Sequence, residues 1–308
     1  MLGAGGKMGP TLARMVARAS AAAGGTRRIY AVSRFSLAGA ERALRTAGVD
    51  TLRCDLLDRE AVARLPDAPN VVFMAGQKFG TADAPATTWA MNTVVPAICA
   101  DRYRSARIVV FSTGNVYPLT PVAAGGARES DAVGPVGEYA ISALGRERVF
   151  EFYSARHGTR VAIVRLNYAI DLRYGVLADI ALRVYRDQPV PLAMGHVNVI
   201  WQGDANRIAI ECLARAETPP FVVNVTGVET LAVRDIAQRF GHRFDKRPRF
   251  SGTESADALL SNTERMRDAF RAPEVSIEAM MDWIAAWIQQ GGAMLNKPTH
   301  FEERAGRF

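Results

Sequence analysis

The feature that most narrows what this chain can fold into lies at its start: Gly3-Ala4-Gly5-Gly6-Lys7-Met8-Gly9-Pro10, ahead of a helix-forming run from Thr11 to Ala23. Glycines at 3, 6 and 9 suit a turn from strand to helix whose bare backbone can approach a pyrophosphate, with Lys7 and Met8 in the same turn. Pro10 suits a first helical turn that needs no amide donor. Alone, this spacing also describes an ordinary surface turn. The strand-like stretch from Arg27 to Val32, arriving one helix later, is what a dinucleotide-binding βαβ unit requires. Only Met1 and Leu2 precede the first glycine. The apolar strand that should lead into the loop is therefore expected as a stub, from a start assigned too far downstream or a trimmed chain. A central parallel strand is buried on both faces, and its loss would strand ladder groups on both neighbours.

Further along, strands and helices alternate. Ser33-Arg34 follows the second strand, where a Rossmann unit that prefers NAD places an acid against the ribose 2′-hydroxyl. An Arg fork matches phosphate geometry, so these residues favour a 2′-phosphate and NADP; the alternative is an ordinary exposed Arg. Residues Thr51 to Leu56 read as a third strand ending in Asp55-Leu56, and Val71 to Gly76 as a fourth ending in Ala75-Gly76. A helix from about Thr87 to Arg102 carries Asn92. Ile108 to Phe111 is a fully apolar fifth strand running into Ser112-Thr113-Gly114-Asn115-Val116-Tyr117. A helix then opens at Glu138-Tyr139 and continues through Phe152, and Arg160 to Leu166 forms a sixth strand. Ligands of such open α/β sheets bind beyond the carboxyl ends of the strands.

Composition excludes several other classes. A chain of 308 residues that is 49% hydrophobic and 22% charged can bury a substantial core. It has no apolar run of about 18 residues for a membrane span, and no basic-then-apolar leader, so a cytoplasmic setting is expected. Cys54, Cys99 and Cys212 are widely separated and the four histidines do not cluster, indicating core cysteines and neither disulfides nor a metal site. The net charge of +7 is spread over amphipathic helices without basic blocks, which argues against nucleic acid.

Taken together, Gly3-x-x-Gly6-x-x-Gly9, Asp55, Ala75-Gly76, Asn92, Ser112-Thr113-x-x-Val116-Tyr117, Tyr139-x-x-Ser142 and Arg165-Leu166-Asn167 resemble the extended short-chain dehydrogenases/reductases, the NAD-dependent epimerase/dehydratase family. The resemblance implies a Rossmann-type, doubly wound parallel α/β sheet over residues 1–170, with return segments near 196–226. Residues 171–308 then form mainly a smaller substrate-binding portion with C-terminal helices. It also implies a homodimer through the helices holding Asn92 and Tyr139. Carried over by position, Asp55 and Leu56 meet adenine, Ala75 and Gly76 pass beneath the cofactor, and Thr113 with Tyr139 handles the substrate's proton. Asn92 and Asn167 fall on further cofactor positions, and Asn115 and Asn167 on substrate positions.

One position departs from the family. Its pair is Tyr-x-x-x-Lys, in which Lys holds the nicotinamide ribose and lowers the Tyr pKa, and here the fourth residue after Tyr139 is Ala143. An unassisted phenol is ionised about one part in a thousand at pH 7, and bringing it to 7 needs roughly 4 kcal/mol of cation stabilisation. Oxidation, which uses the phenolate as base, loses most; reduction uses the phenol as acid. Arg146 lies about 20° from Tyr139 on the helical wheel and about 10 Å further along the axis. It could reach the ribose or phosphate region, or pair with a neighbouring Glu on the surface.

Beyond residue 170, Asp171, Arg173, His196, Asn198 and Gln202 are candidates to face substrate, although polar loop residues are often simply solvated. Val176 to Asp187, Leu231 to Phe240 and Ile277 to Ile288 read as helices, and Lys297 to Phe308 as a charged surface tail. The leading functional expectation is NADPH-favouring reduction of a carbonyl on a sugar-like or small polyhydroxy substrate. An NAD-dependent sugar epimerase and a dinucleotide-binding protein without turnover stand beside it. Nucleotide-sugar dehydration is disfavoured, because Gly114-Asn115 lacks the two carboxylates that elimination uses.

Overall fold

The computed structural model describes residues 1–36, 39–78, 80, 83–297 and 299–307. In chain order the first elements are α1 (Gly9–Ala22), β1 (Tyr30–Ser33), α2 (Ala40–Thr46), β2 (Asp50–Arg53), α3 (Arg59–Ala63), β3 (Asn70–Phe73), α4 (Pro85–Trp89), α5 (Val95–Arg102) and β4 (Arg107–Thr113). A π-helical turn, Ala90–Val94, joins α4 to α5. There follow β5 (Thr120–Pro121), α6 (Gly137–His157), β6 (Arg160–Leu166), β7 (Ala169–Ile170), α7 (Val176–Tyr185), β8 (Pro189–Pro191), β9 (His196–Val197), β10 (Ile200–Trp201) and α8 (Gln202–Glu211). The last are β11 (Phe221–Val225), β12 (Leu231–Ala232), α9 (Val233–Phe244), β13 (Arg249–Ser251), β14 (Asp257–Ala258), α10 (Glu264–Ala269) and α11 (Ile277–Gln289).

Two compact units divide the chain: residues 1–113, 138–165 and 206–223 form one, and 114–137, 166–205 and 224–308 the other. The first unit takes only 206–223 of the return segment expected near 196–226, and residues 114–137 fall in the second unit.

The first unit is built on a sheet ordered β11-β6-β4-β3, with β3 and β4 parallel. β1 and β2 form a parallel pair of their own. Among the described residues, Leu2 alone bridges the two sheets, in parallel register with Val32 on one side and Phe73 on the other. The order β2-β1-Leu2-β3-β4-β6-β11 therefore reverses direction at Leu2, and the glycine loop begins at the next residue, at the switch point of a doubly wound sheet. β4 and β6 are near-continuous apolar runs because helices cover both faces. One core gathers Leu2, Phe73, Ile98, Ile108, Phe150 and Ile163, with the Phe73 and Phe150 rings edge to face at 5.2 Å. Cys54, Cys99 and Cys212 are buried and free of disulfides, and burial pushes the Cys99 and Cys212 thiols up to about 12.

In the second unit, α7, α9 and α11 enclose a core that includes Leu177, Ile180, Ile236, Phe240, Met281 and Ile284. α11 lays its apolar stripe inward, but Trp283 is 46% exposed, its ring resting edge-on against Trp201. The chain's last stretch corrects the surface-tail expectation. Thr299 and Phe301 are buried, Thr299 gives both its N–H and its hydroxyl to Asp179, and Arg304 donates to the Ala193 and Asp257 carbonyls. An aromatic ring two residues beyond Thr299 gives an otherwise charged segment enough apolar area to dock. Phe308, the end of that expected tail, and Pro298 within it lie outside the described residues.

Candidate functional site

The loop after Leu2 is a close-fitted cradle. Gly3 sits at φ +86°, and a Cβ there would lie 2.5 Å from the Ala75 nitrogen; a Cβ on Gly9 would lie 2.2 Å from the Ala4 oxygen. Gly5, which the spacing argument passed over, is equally constrained, with 2.3 Å to the Ser33 hydroxyl, whereas Gly6 has only the Gly3 oxygen, at 3.6 Å. Backbone pressed against backbone from behind and bare on the Gly6 side is what a pyrophosphate needs. α1 starts at Gly9 with Pro10 in its first turn, and no side chain caps it, so the positive end of its dipole faces this loop. The residues present fit a dinucleotide.

Around this cradle, the Ser33 hydroxyl accepts from the Phe35 N–H at 3.3 Å, and Arg34 is exposed. Asp55 is exposed and uses one oxygen on the Leu57 N–H, whereas Leu56 is buried against the apolar core. Ala75 is buried and touches the cradle behind Gly3.

Asn92 organises what lies beyond β3. It is fully buried on the π turn, and a π turn redirects side chains that a regular helix would stagger. Its amide reads both backbone groups of Gln77, accepting from the N–H at 2.9 Å and donating to the C=O at 3.0 Å. It also donates to the Ser142 hydroxyl at 2.9 Å, which donates to the Tyr139 carbonyl. Gly145 lets α6 approach this turn: a Cβ there would lie 2.9 Å from Thr93.

Arg146 corrects both sequence alternatives. It is 6% exposed, donating to Asn92 Oδ1 at 2.6 Å and to the Phe111 carbonyl at 2.7 Å. Its guanidinium lies behind Gly76, where a Cβ would meet it at 2.3 Å. Burial pulls its pKa below the ordinary guanidinium value, opposed by the charges of Tyr139 and Glu147. It is a buried prop beneath the Ala75–Gln77 loop, neither a surface ion pair nor an arm reaching outward. Ala143, one turn earlier, has no exposure at all.

Tyr139 is half-buried and carries the Lys78 ammonium 5.7 Å from its ring centroid, a cation–π distance. Thr113 ends β4 and is buried. The adjacent Ser112 belongs to a network the sequence reading missed: its hydroxyl donates to Glu147 at 2.5 Å, and Arg165 pairs with the same carboxylate at 2.7 Å. Glu147 and Arg165 are both buried. The available signal was a Glu on the buried stripe of α6 itself, in line with Ala140, Ala143, Phe150 and Ser154.

Residues expected near substrate in the second unit are largely satisfied among themselves. Arg173 pairs with Asp171 through Nη2 at 2.8 Å and Nε at 3.1 Å. Asn167 donates to Asn198 and to the Leu259 carbonyl, which makes it a buried cross-link; its side chain is tied within the second unit. His196 sits on β9 with Nδ1 buried and unpartnered among the described residues, and Gln202 is buried at the start of α8. Asn115 lines a cavity of about 40 Å³ with Tyr117, Val136, Met194 and Arg304. The described residues hold no cluster of His, Cys, Asp and Glu arranged for a metal ion, and no helix among them is long and apolar enough to cross a membrane.

Residues 1–171 match the model of the NAD dependent epimerase/dehydratase family. No curated protein matches the chain. Among solved structures, UDP-glucose 4-epimerase of Thermotoga maritima, determined with UDP-glucose, superposes with a TM-score of 0.78 at 16% identity, covering 94% of this chain and 98% of that one. UDP-glucose 4-epimerase of Thermus thermophilus, in complex with NAD, gives 0.75 at 20% identity over 94% and 97%. The dTDP-glucose 4,6-dehydratase of Streptomyces venezuelae gives 0.77 at 16% identity over 94% and 96%. Likeness at these identities shows the fold.

Proposed function

The chain belongs to the NAD-dependent epimerase/dehydratase family of extended short-chain dehydrogenases, and on that premise we propose that it reduces a carbonyl on a sugar-like or small polyhydroxy substrate, with NADPH favoured as donor. The observation that carries this reading is Ala143, fully buried where the family places its lysine. When bound, the nicotinamide supplies the hydride. Tyr139 then has to give a proton to the oxygen that becomes a hydroxyl, a role the neutral phenol fills without an adjacent ammonium. The Thr113 hydroxyl holds that oxygen at the end of β4. Asn92 and Arg146 keep the Ala75–Gln77 loop in place beneath the cofactor, and exposed Arg34 meets the 2′-phosphate beside Ser33. Asn115, Asp171, Arg173 and His196 remain the substrate-side candidates.

A second reading, an NAD-dependent sugar epimerase, draws on the structural relatives solved with NAD and with UDP-glucose. It requires Tyr139 to act as base in its oxidative half. A cofactor-binding protein without turnover is the third. Steady-state consumption of NADPH and NADH against a panel of aldehydes, ketoses and nucleotide sugars separates them: net NADPH oxidation supports reduction, sugar interconversion without net cofactor change supports epimerisation, and neither supports the third.

This reading includes a cytoplasmic homodimer, paired through the helices that bear Asn92 and Tyr139. Trp89, Val94, Ile141 and Phe152 on those helices are large apolar side chains at 39–56% exposure, more than a lone solvated face carries. Light scattering on the purified chain checks it: twice the chain mass is expected, and Phe152→Lys should lower the apparent mass.

A further inference from the structure

Segment 299–307 does more than cover the core of the second unit: Glu303, Arg304 and Gly306 wall the cavity beside Asn115. Its course is fixed before and after that wall. Thr299 is held by Asp179, and the Phe301 ring is buried in the apolar core. The Arg304 guanidinium is taken up by the Ala193 and Asp257 carbonyls and by the Asp257 carboxylate. Beyond it, Gly306 meets Gly137 backbone to backbone: a Cβ on Gly137, at φ +82°, would lie 2.2 Å from the Gly306 oxygen. Position 303 is thus anchored on both sides, and an anchored segment presents its side chain in one place.

The cavity measures about 40 Å³, room for roughly three water-sized groups at the 10–15 Å³ that one water needs. That suits the hydroxymethyl end of a ligand and is too little for a whole sugar ring. Pro118, Leu119, Val136 and Leu259 give it apolar walls, so a hydroxyl entering it needs a partner among the polar groups at hand. The Tyr117 hydroxyl is turned to Asn224 and the Arg304 guanidinium to Asp257. Glu303 brings the carboxylate: one oxygen accepts from the Ala305 N–H, and the other accepts no hydrogen bond from the described residues.

We propose that Glu303 is a specificity-determining residue of the substrate site, its carboxylate accepting a hydrogen bond from a terminal hydroxyl of a ligand whose hydroxymethyl end enters the cavity beside Asn115. The assignment rests on the reading of the substrate as sugar-like or polyhydroxy, and narrows it to compounds that end in a primary hydroxyl. A hydroxyl on a carboxylate makes a charge-assisted hydrogen bond, about twice as strong as a neutral one. A methyl group in the same place would desolvate the carboxylate and give nothing back, and sites built to pair a hydroxyl discriminate against its absence for that reason.

Saturation-transfer NMR on the full chain with NADPH added tests this, using D-glucose and 6-deoxy-D-glucose, which differ only in a hydroxymethyl against a methyl. D-glucose should bind about tenfold more tightly, the worth of a hydrogen bond to a charged acceptor. Glu303→Leu should bring the two sugars level, and Glu303→Gln should keep part of the preference through its amide oxygen. Phe301→Ser, which leaves Glu303 in the chain but undocks the segment, should lose the preference as well. Equal binding of the two sugars to the unaltered chain, binding of neither, or a preference that survives Glu303→Leu would overturn the proposal. NADPH oxidation on the carbonyl panel is read separately: active reduction without a hydroxyl preference removes the role of Glu303 alone, and a preference without any reduction removes the reductive reading alone.

Discussion

Ala143 changes what its neighbours have to do. With a methyl group fully enclosed there, a lysine introduced by Ala143→Lys would be forced into packed surroundings, so destabilisation is expected from that substitution, with no restored oxidation. The cations near Tyr139 come from elsewhere: Lys78 against its ring and Arg146 beneath the loop. At the other end of the cofactor, Arg34→Ala should weaken NADPH by about 1.5–3 kcal/mol, the range for a hydrogen bond to a charged group, and barely change NADH. Titration of both cofactors against the two proteins measures it, and equal weakening would return the preference to NAD. Gly3 and Gly9 were legible because close backbone approach constrains residue type, whereas Ala75 and Asn92 were placed by the family resemblance alone. Gly5 was not legible, since its constraint is a contact with Ser33 across 28 positions of sequence.

Elements were legible where a single period dominates. The strand over Arg160 to Leu166 and the helix beginning near Glu138 lie where alternation and apolar runs put them, because local pattern and burial agree. The π turn of Ala90–Val94 was not legible: nothing local distinguishes it from regular helix, and the Asn92 contacts that hold it come from β3 and α6. Nor was the α6–β6 tether, where Glu147 is enclosed with Arg165 and Ser112. Breaking a buried pair by removing one partner strands a charge, so Glu147→Ala should cost about 3–5 kcal/mol in denaturant unfolding. The paired replacement Glu147→Leu with Arg165→Met should recover most of that loss. A loss under about 1 kcal/mol for the single variant would mean the pair is hydrated in solution.

For the whole molecule, the docked segment 299–307 shows why a charged composition at the end of the chain does not make a solvated tail: one buried ring, Phe301, with a receptive carboxylate, Asp179, decides otherwise.

The most direct measurement of the functional account is single-turnover reduction by the NADPH-saturated protein, comparing the unaltered chain with Tyr139→Phe on whichever carbonyl the panel identifies. The account predicts that Tyr139→Phe slows the reductive step by about 10² to 10⁴, the range for a lost general acid, with cofactor affinity nearly unchanged. An unchanged reductive rate in Tyr139→Phe, on a substrate the unaltered chain demonstrably turns over, would contradict it.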